Sequence, residues 1–321
     1  MTGTFFHYSA WLVFVRRAIG LREPVEEAHT ILEINGEPSG AFPLFIIGGN
    51  RGVSLPLGDY GGPVLSSLDG SEAALLTLLE KSGKLGSVRA KSVPEAMHPA
   101  FRSAGFRIGP HMSTFILDLH KGIGGHSEHS IRRDARRGIR SAWKAGVAIR
   151  EATTDGDDPE KYSGLHMETA SRLGIPERGP QFFRLLWNEI IQSGLGRATF
   201  AESDGRAIAG LICLLNPRQG AVHVYSNVSN PRASELHAND LLYWDALTWA
   251  SDSGYNHVDM GLSPLDPEHN LCRFKQKWGS ERRVLYYCDR VNPVLRLKSL
   301  LGGRLSRILP AQYRFVPKRF D

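Results

Sequence analysis

Cysteine is scarce in this chain: Cys213, Cys272 and Cys288 form no CxxC pair and leave an odd count. That excludes a disulfide-stapled scaffold and points to a reducing cytoplasm. No histidine in the same motif is placed to activate Cys272, so it reads as an inert buried thiol rather than a nucleophile. Long hydrophobic runs are missing as well. The opening "FFHYSAWLVFVRRAIG" is interrupted by His7 and stopped by Arg16 and Arg17, far short of the about 20 apolar residues that span a bilayer. No small-residue cleavage site follows it, so the stretch predicts a first helix with one buried face. The chain has no G-x-S-x-G elbow, no Walker loop, no G-x-G-x-x-G and no H-E-x-x-H, which removes the commonest hydrolase, nucleotide-binding and zinc-protease signatures. His126 and His129 in "HSEH" have helical spacing but no third ligand nearby, and no metal is expected there.

What is present is an ordinary globular composition. Of 321 residues, 41% are hydrophobic and 22% charged, enough for two domains, each with its own core. The formal charge of +6 suits a polyanionic partner without demanding one.

An internal repeat organises the chain. "ILEINGEPSGAFPLFI" (31–46) reads as two strands around Asn-Gly, and "ATFAESDGRAIAGLICLL" (198–215) repeats the layout around Asp-Gly. Both dipeptides tolerate the positive φ that a tight hairpin needs. Helical spacing follows in "AALLTLLEKSGK" (73–84) and again in "LLYWDALTWASDSGY" (241–255). Then come the short strands "SVRAKS" and "HVDMGLS", and after them "FILDL" and "LYYCD". Five elements recur in one order at an offset of about 170 positions, which predicts a mixed α/β (α+β) fold of two duplicated units. The expected boundaries are 1–121 for the first, 122–290 for the second, and 291–321 for a basic tail.

Between the halves, "HSEHSIRRDARRGIRSAWKAGVAIR" predicts a helix from about Glu128 to Lys144 with Gly146 at its C-cap. Arg132, Arg133, Arg136, Arg137, Arg140 and Lys144 outnumber Asp134 there; the helix presents either a solvated face or a phosphate-binding stripe. In the tail, Arg296, Lys298, Arg304, Arg307, Arg314, Lys318 and Arg319 interleave with leucines. Such a segment can rest on an anionic membrane face. Gly302, Gly303, Pro310 and Pro317 break any long helix, which favours packing back on the protein.

The repeat also serves as an internal control, because a charge present in one copy alone points to function. Asp259 in "HVDMG" stands against Arg89 in "SVRAK". Lys275 in "CRFKQKWGSE" stands against "FRSAGF". Asp259 at a strand's end and Lys275 in the loop beyond it are expected to converge on one cleft, the usual ligand position of open α/β sheets. Phe274 and Trp278 are expected to hold the stem of Lys275 against apolar surface.

In order along the chain, "GDYGGP", "IRRDARRGIRSAWKAGV", "ETASRLGIP", "FAESDGRAIAG", "VYSNVS", "YNHVDMG" and "RFKQKWG" resemble the Fem-type (FemABX-like) aminoacyltransferases that build peptidoglycan bridges. The resemblance covers nearly the whole chain and implies two tandem GNAT-like acyltransferase domains. It also implies aminoacyl-tRNA as donor and the amino group of a peptidoglycan precursor as acceptor, with no bound cofactor. Carried over residue by residue, it places Phe274 and Lys275 at the acyl-transfer channel; Asp259, read from the residues alone, is expected to help remove the amine's proton. Tyr225 falls on a second-domain strand. Arg178 falls where an arginine contacts precursor phosphates, and Phe182 falls where a tyrosine is usual. Arg16 or Arg17 matches an N-terminal basic contact. Outside the resemblance, Trp278 is expected among the substrate-binding residues, and Arg132, Arg133, Arg136, Arg137 and Arg140, where they are not simply a solvated face, at tRNA or phosphate.

The expected function is therefore N-acyl transfer, an aminoacyl group passing from aminoacyl-tRNA to a peptidoglycan-precursor-like or other amine acceptor. The expected setting is the cytoplasm, at or near the membrane face. Two alternatives stay open. One is an acyl-CoA-dependent GNAT enzyme acting on a cell-envelope or exopolysaccharide-related amine. "SNPRASELHAND", before the second long helix, has no glycine to free backbone N–H groups for a pyrophosphate, and "GDYGGP" is more simply a turn. The other is a non-catalytic RNA or anionic-surface binder, recognisable by steep salt dependence.

Overall fold

The computed structural model describes residues 3–34, 37–66, 76, 79, 85–121, 131–153 and 156–291. These divide into two compact units. One is built from Ile19–Gly109 with the chain from Tyr286 onward, the other from Thr4–Ala18 with Pro110–Leu285. Relative to cuts at 121 and 290, the units exchange segments: the N-terminal helix and 110–121 go with the second, and 286 onward with the first.

Helix α1 (Ser9–Gly20) opens the fold. Phe5, Phe6, Trp11 and Phe14 are all buried, so the first helix does bury one face. In the first unit, β1 (Val25–Glu27), β2 (Thr30–Ile34), β3 (Glu37–Phe42), β4 (Phe45–Ile47), β5 (Arg51–Val53), β6 (Val64–Leu65) and β7 (Ser87–Lys91) precede helix α2 (His98–Ser103). Its main sheet runs β1-β4-β5-β7-β14, where β14 is Glu281–Val291. Strands β5 and β7 are parallel, and the other neighbouring pairs are antiparallel. Phe42, Val88, Met97, Phe101, Phe106 and Cys288 pack its core.

The second unit contains β8 (Arg107–Asp118), α3 (Arg133–Lys144), β9 (Ala148–Glu151), α4 (Asp158–Leu173) and α5 (Pro180–Leu186). After these come β10 (Gly196–Ser203), β11 (Arg206–Asn216), β12 (Ala221–Ser229), α6 (Pro231–Glu235), α7 (Ala238–Asp252), β13 (His257–Asp259) and α8 (Asn270–Gln276). The sheet order is β9-β10-β11-β12-β13-β8, with β12 and β13 parallel. Asp204 and Gly205 both have positive φ, 51° and 70°, as a two-residue hairpin turn requires.

The two sheets share one pairing pattern. From β1 in the first and from β10 in the second, the neighbours run antiparallel, antiparallel, parallel, antiparallel. Strand β7 does answer β13, and α2 answers α8. The first hairpin differs from expectation. β2 and β3 form a separate three-stranded sheet with β6, and β1 and β4 take the places expected for them. Pro38 in β3 has no N–H to give; β3 is the middle strand of that small sheet, yet it pairs with β6 only at Gly40 and Ala41, so Pro38 has a ladder neighbour on the β2 side alone. The last strands are exchanged: β8 follows α2 in sequence yet pairs with β13, and β14 follows α8 yet pairs with β7.

Three expected features fall outside the described residues: the Asn35-Gly36 turn, most of the 73–84 helix, and the tail beyond Val291. The basic helix is described from Arg133, with Arg132 as its N-cap, and its expected start at Glu128 lies outside. Gly146 follows the helix with φ 75°.

Candidate active site

Strand β13 ends on Asp259, which is buried. Its Oδ1 accepts from Thr114 Oγ1 and, at 2.9 Å, from the Gly261 amide. Its Oδ2 lies 3.3 Å from His223 Nδ1 on β12. Gly261 turns the chain with φ 75°, and its carbonyl accepts from Lys275 Nζ at 2.8 Å, as does the Leu262 carbonyl. Lys275 is only 3% exposed. A buried ammonium is costly unless hydrogen-bonded, and these two carbonyls supply that compensation. One residue, Gly261, thus gives its N–H to a carboxylate and its C=O to an ammonium. Asp259 and Lys275 are brought together through Gly261.

Lys275 stands in helix α8 rather than in the expected loop, and this changes its neighbours. On a helix, positions three and four apart share a face, so Phe274 aligns with Lys277 and Trp278. Tyr243 of α7 packs edge-on against Phe274 and parallel to Trp278. The ammonium over the Phe274 ring is that of Lys277, 4.3 Å from its centre, and it pairs with buried Asp240 of α7. The aromatic cradle thus holds Lys277 and not, as expected, Lys275. Gly138 of α3 lies against the same carboxylate, where a Cβ would overlap it.

A third cluster sits on β12. Arg178 donates to Tyr225 Oη at 3.1 Å, and its guanidinium lies 4.6 Å from the Phe182 ring centre. Trp11 meets Tyr225 edge-on, and Phe6 meets both Tyr225 and His223. A phenylalanine at 182 accepts the cation on its ring face where a hydroxyl would accept a hydrogen bond. His166 of α4 is buried beneath this cluster against Phe183. Burial, with the nearby Arg178 charge, pushes its pKa below the ordinary 6.5. Arg17 stands apart from the cluster, paired with Glu189.

Donor-binding features are equally informative. "SNPRASELHAND" folds as α6 followed by His237 in left-handed backbone, φ 55°. Asp240 occupies the first turn of α7, where a carboxylate complements the helix dipole; its charge is met by Lys277. In the first unit, the amides of Gly58, Gly61 and Gly62 donate to Leu55 O, Lys91 O and Ser54 Oγ, so "GDYGGP" is a committed turn. The exposed side of α3 carries the arginine stripe, with Ala135, Gly138, Ile139 and Ala142 buried on the other. All three cysteines are buried, and burial raises the Cys213 and Cys288 thiols to about 12. Among the described residues, no group of His, Cys, Asp or Glu is arranged to hold a metal, and no helix is long and apolar enough to cross a membrane.

His223, Trp11, Lys277 and Asp240 escaped the sequence reading. The helical spacing of Phe274, Lys277 and Trp278 was a usable signal. Nothing local marks His223 or Trp11, whose roles come from strand pairing and from the docking of α1.

Residues 129–275 match the family described as Acetyltransferase (GNAT) domain. No curated protein matches the chain in sequence. The FemX crystal structure aligns over 92% of this chain and 94% of its own, with a TM-score of 0.70 and 14% identity. The C-terminal domain of a putative lysylphosphatidylglycerol synthetase from Agrobacterium fabrum aligns over 92% of each chain, at TM-score 0.62 and 11% identity. A tandem GNAT protein of the clavulanic acid biosynthesis pathway aligns over 83% of each chain, at TM-score 0.53 and 14% identity. The chain has the tandem GNAT-like fold of these structures, and its residues 129–275 match the acetyltransferase (GNAT) domain family.

Proposed function

We propose that the protein transfers an aminoacyl group from aminoacyl-tRNA to the amino group of a peptidoglycan-precursor-like acceptor. The observation that carries this reading is the buried Lys275 ammonium, held on the Gly261 and Leu262 carbonyls beside Asp259. An ester-linked aminoacyl group is already activated, so the protein mainly has to orient the two reactants, an effect worth about 7 to 11 kcal/mol. The acceptor amine attacks the ester carbonyl, the carbonyl oxygen takes the developing charge, and the bond to the ribose oxygen breaks. Lys275 stabilises that oxyanion. The amine's proton leaves through the Asp259–His223 pair, where the carboxylate fixes the orientation of the imidazole. Arg178, over Phe182 and against Tyr225, supplies the cation for an acceptor phosphate. The amides of Gly58, Gly61 and Gly62, already bonded within the protein, disfavour a CoA pyrophosphate there.

The test is transfer from charged total tRNA to a panel of precursor amines, read by mass spectrometry. Lys275→Ala is expected to lower kcat about 100- to 1,000-fold, the loss typical of one well-aimed donor, while the protein stays folded. Near-normal turnover by a folded Lys275→Ala protein, or turnover supported by acyl-CoA and not by aminoacyl-tRNA, overturns the proposal.

A further inference from the structure

We propose that the exposed face of α3 is a docking surface for single-stranded RNA, on which Trp143 stacks an unpaired base. With 3.6 residues per turn, Arg132, Trp143, Arg136, Arg140, Arg133, Lys144 and Arg137 fall, in that angular order, within about 140° of the helix circumference. Asp134 lies outside that arc. The buried Ala135, Gly138, Ile139 and Ala142 face the opposite way, so the cationic arc is the solvent side. Arg132, Arg133, Arg136, Arg137 and Lys144 enter none of the ion pairs among the described residues. The stripe runs about 18 Å at 1.5 Å per residue, long enough to follow several phosphates.

Trp143 decides the partner. It is 53% exposed, whereas Trp11, Trp187 and Trp278 are fully buried. An aromatic ring set among cations in a groove or stripe is how sequence-tolerant single-strand binders hold bases and phosphates together. An anionic membrane would need an apolar face to insert, and the apolar residues of α3 other than Trp143 face the core. The stripe also leads toward the proposed chemistry. The Arg132 amide donates to the Lys277 carbonyl at 3.0 Å, joining the start of α3 to the end of α8, the helix of Lys275. A strand laid along α3 therefore arrives beside the helix that carries the acyl-transfer lysine. This inference rests on the aminoacyl-RNA donor proposed above and assigns the surface that holds it.

The experiment is equilibrium binding of the full chain to a short single-stranded oligoribonucleotide ending in unpaired CCA, across a salt series. Trp143→Ala is expected to weaken binding about 5- to 100-fold with an unchanged salt slope, since it removes stacking and no charge. R133Q/R137Q is expected to flatten the log–log salt slope by about 1.4, at about 0.7 per lost phosphate contact. Affinity and slope alike in all three proteins overturn the surface. Trp143-dependent binding to phosphatidylglycerol vesicles with no RNA binding overturns it in favour of a membrane. RNA binding with both signatures, but no aminoacyl transfer to any amine, upholds the surface and sinks the donor reading. Transfer that persists while RNA binding ignores α3 does the reverse.

Discussion

Two lysines two positions apart, Lys275 in α8 and Lys277 at its C-cap, meet opposite surroundings. Lys275 donates to backbone carbonyls and Lys277 pairs with a buried carboxylate, so their removal separates by readout. Breaking a buried ion pair strands a charge and typically costs about 3 to 5 kcal/mol. Asp240→Asn is therefore expected to lower the urea midpoint strongly, whereas Lys275→Ala acts mainly on turnover; chemical denaturation beside the transfer assay checks both. The sequence run showed that a lysine lies near aromatics but not which one, because that depends on α8 being helical. Acid sensitivity concentrates at Asp158. Desolvation favours its neutral form, yet bonds from Arg150 and Thr153 override this and hold its pKa at about 2, below 3.8. A depressed folded pKa gives stability that is complete above 3.8 and lost as pH falls toward 2, an amount of about 2 kcal/mol. Asp158→Asn should flatten that limb in urea titrations between neutral pH and about pH 3. His166, with its folded pKa below 6.5, adds a separate loss that begins as pH drops below 6.5, since the unfolded chain takes up the proton first.

At the scale of elements, α3 is held by what it lacks. Alanine at position 138 would gain about 1 kcal/mol of helix propensity, but its Cβ would overlap the Asp240 carboxylate. Gly138→Ala is thus expected to destabilise, by about 1 to 3 kcal/mol for an overpacked contact, and thermal melting checks the sign. The elements most legible in the sequence were those specified locally. The Asp204-Gly205 hairpin and α7 fall where turn chemistry and helical periodicity put them. The first hairpin was legible as a hairpin and misplaced in the fold, because an offset between similar stretches says nothing about which strands pair at long range. Pro38, visible inside the proposed repeat, was one local hint: it gives no N–H to a ladder, and in the structure it has a ladder neighbour on one side only. Arg178, Phe182 and Tyr225 were singled out one by one through the family resemblance; that they touch one another is known only from the structure. His223 joined Asp259 only once the parallel pairing of β12 with β13 set them side by side.

The exchange of last strands governs how the whole chain can be divided. The family-matched stretch 129–275 looks like a self-sufficient domain, but the second unit also needs Thr4–Ala18 and Pro110 onward. Strand β8 gives the second core Phe115 and Leu117, with Leu119 just past its end, and covers β13 from Ile116 to Asp118. The N-terminal segment adds the fully buried Phe6, Trp11 and Phe14. Losing one large aromatic from a core typically costs about 3 to 5 kcal/mol, against a total stability of about 5 to 15 kcal/mol for a domain. Deleting three buried aromatics together with a sheet strand exceeds that total, and it leaves β13 with an unpaired edge. A fragment of residues 129–285 is therefore expected to show no cooperative urea transition and to aggregate, while the full chain unfolds cooperatively. A sharp, reversible transition in that fragment would mean that β8 and the N-terminal helix are dispensable, and that the family-matched half is closed by its own strands.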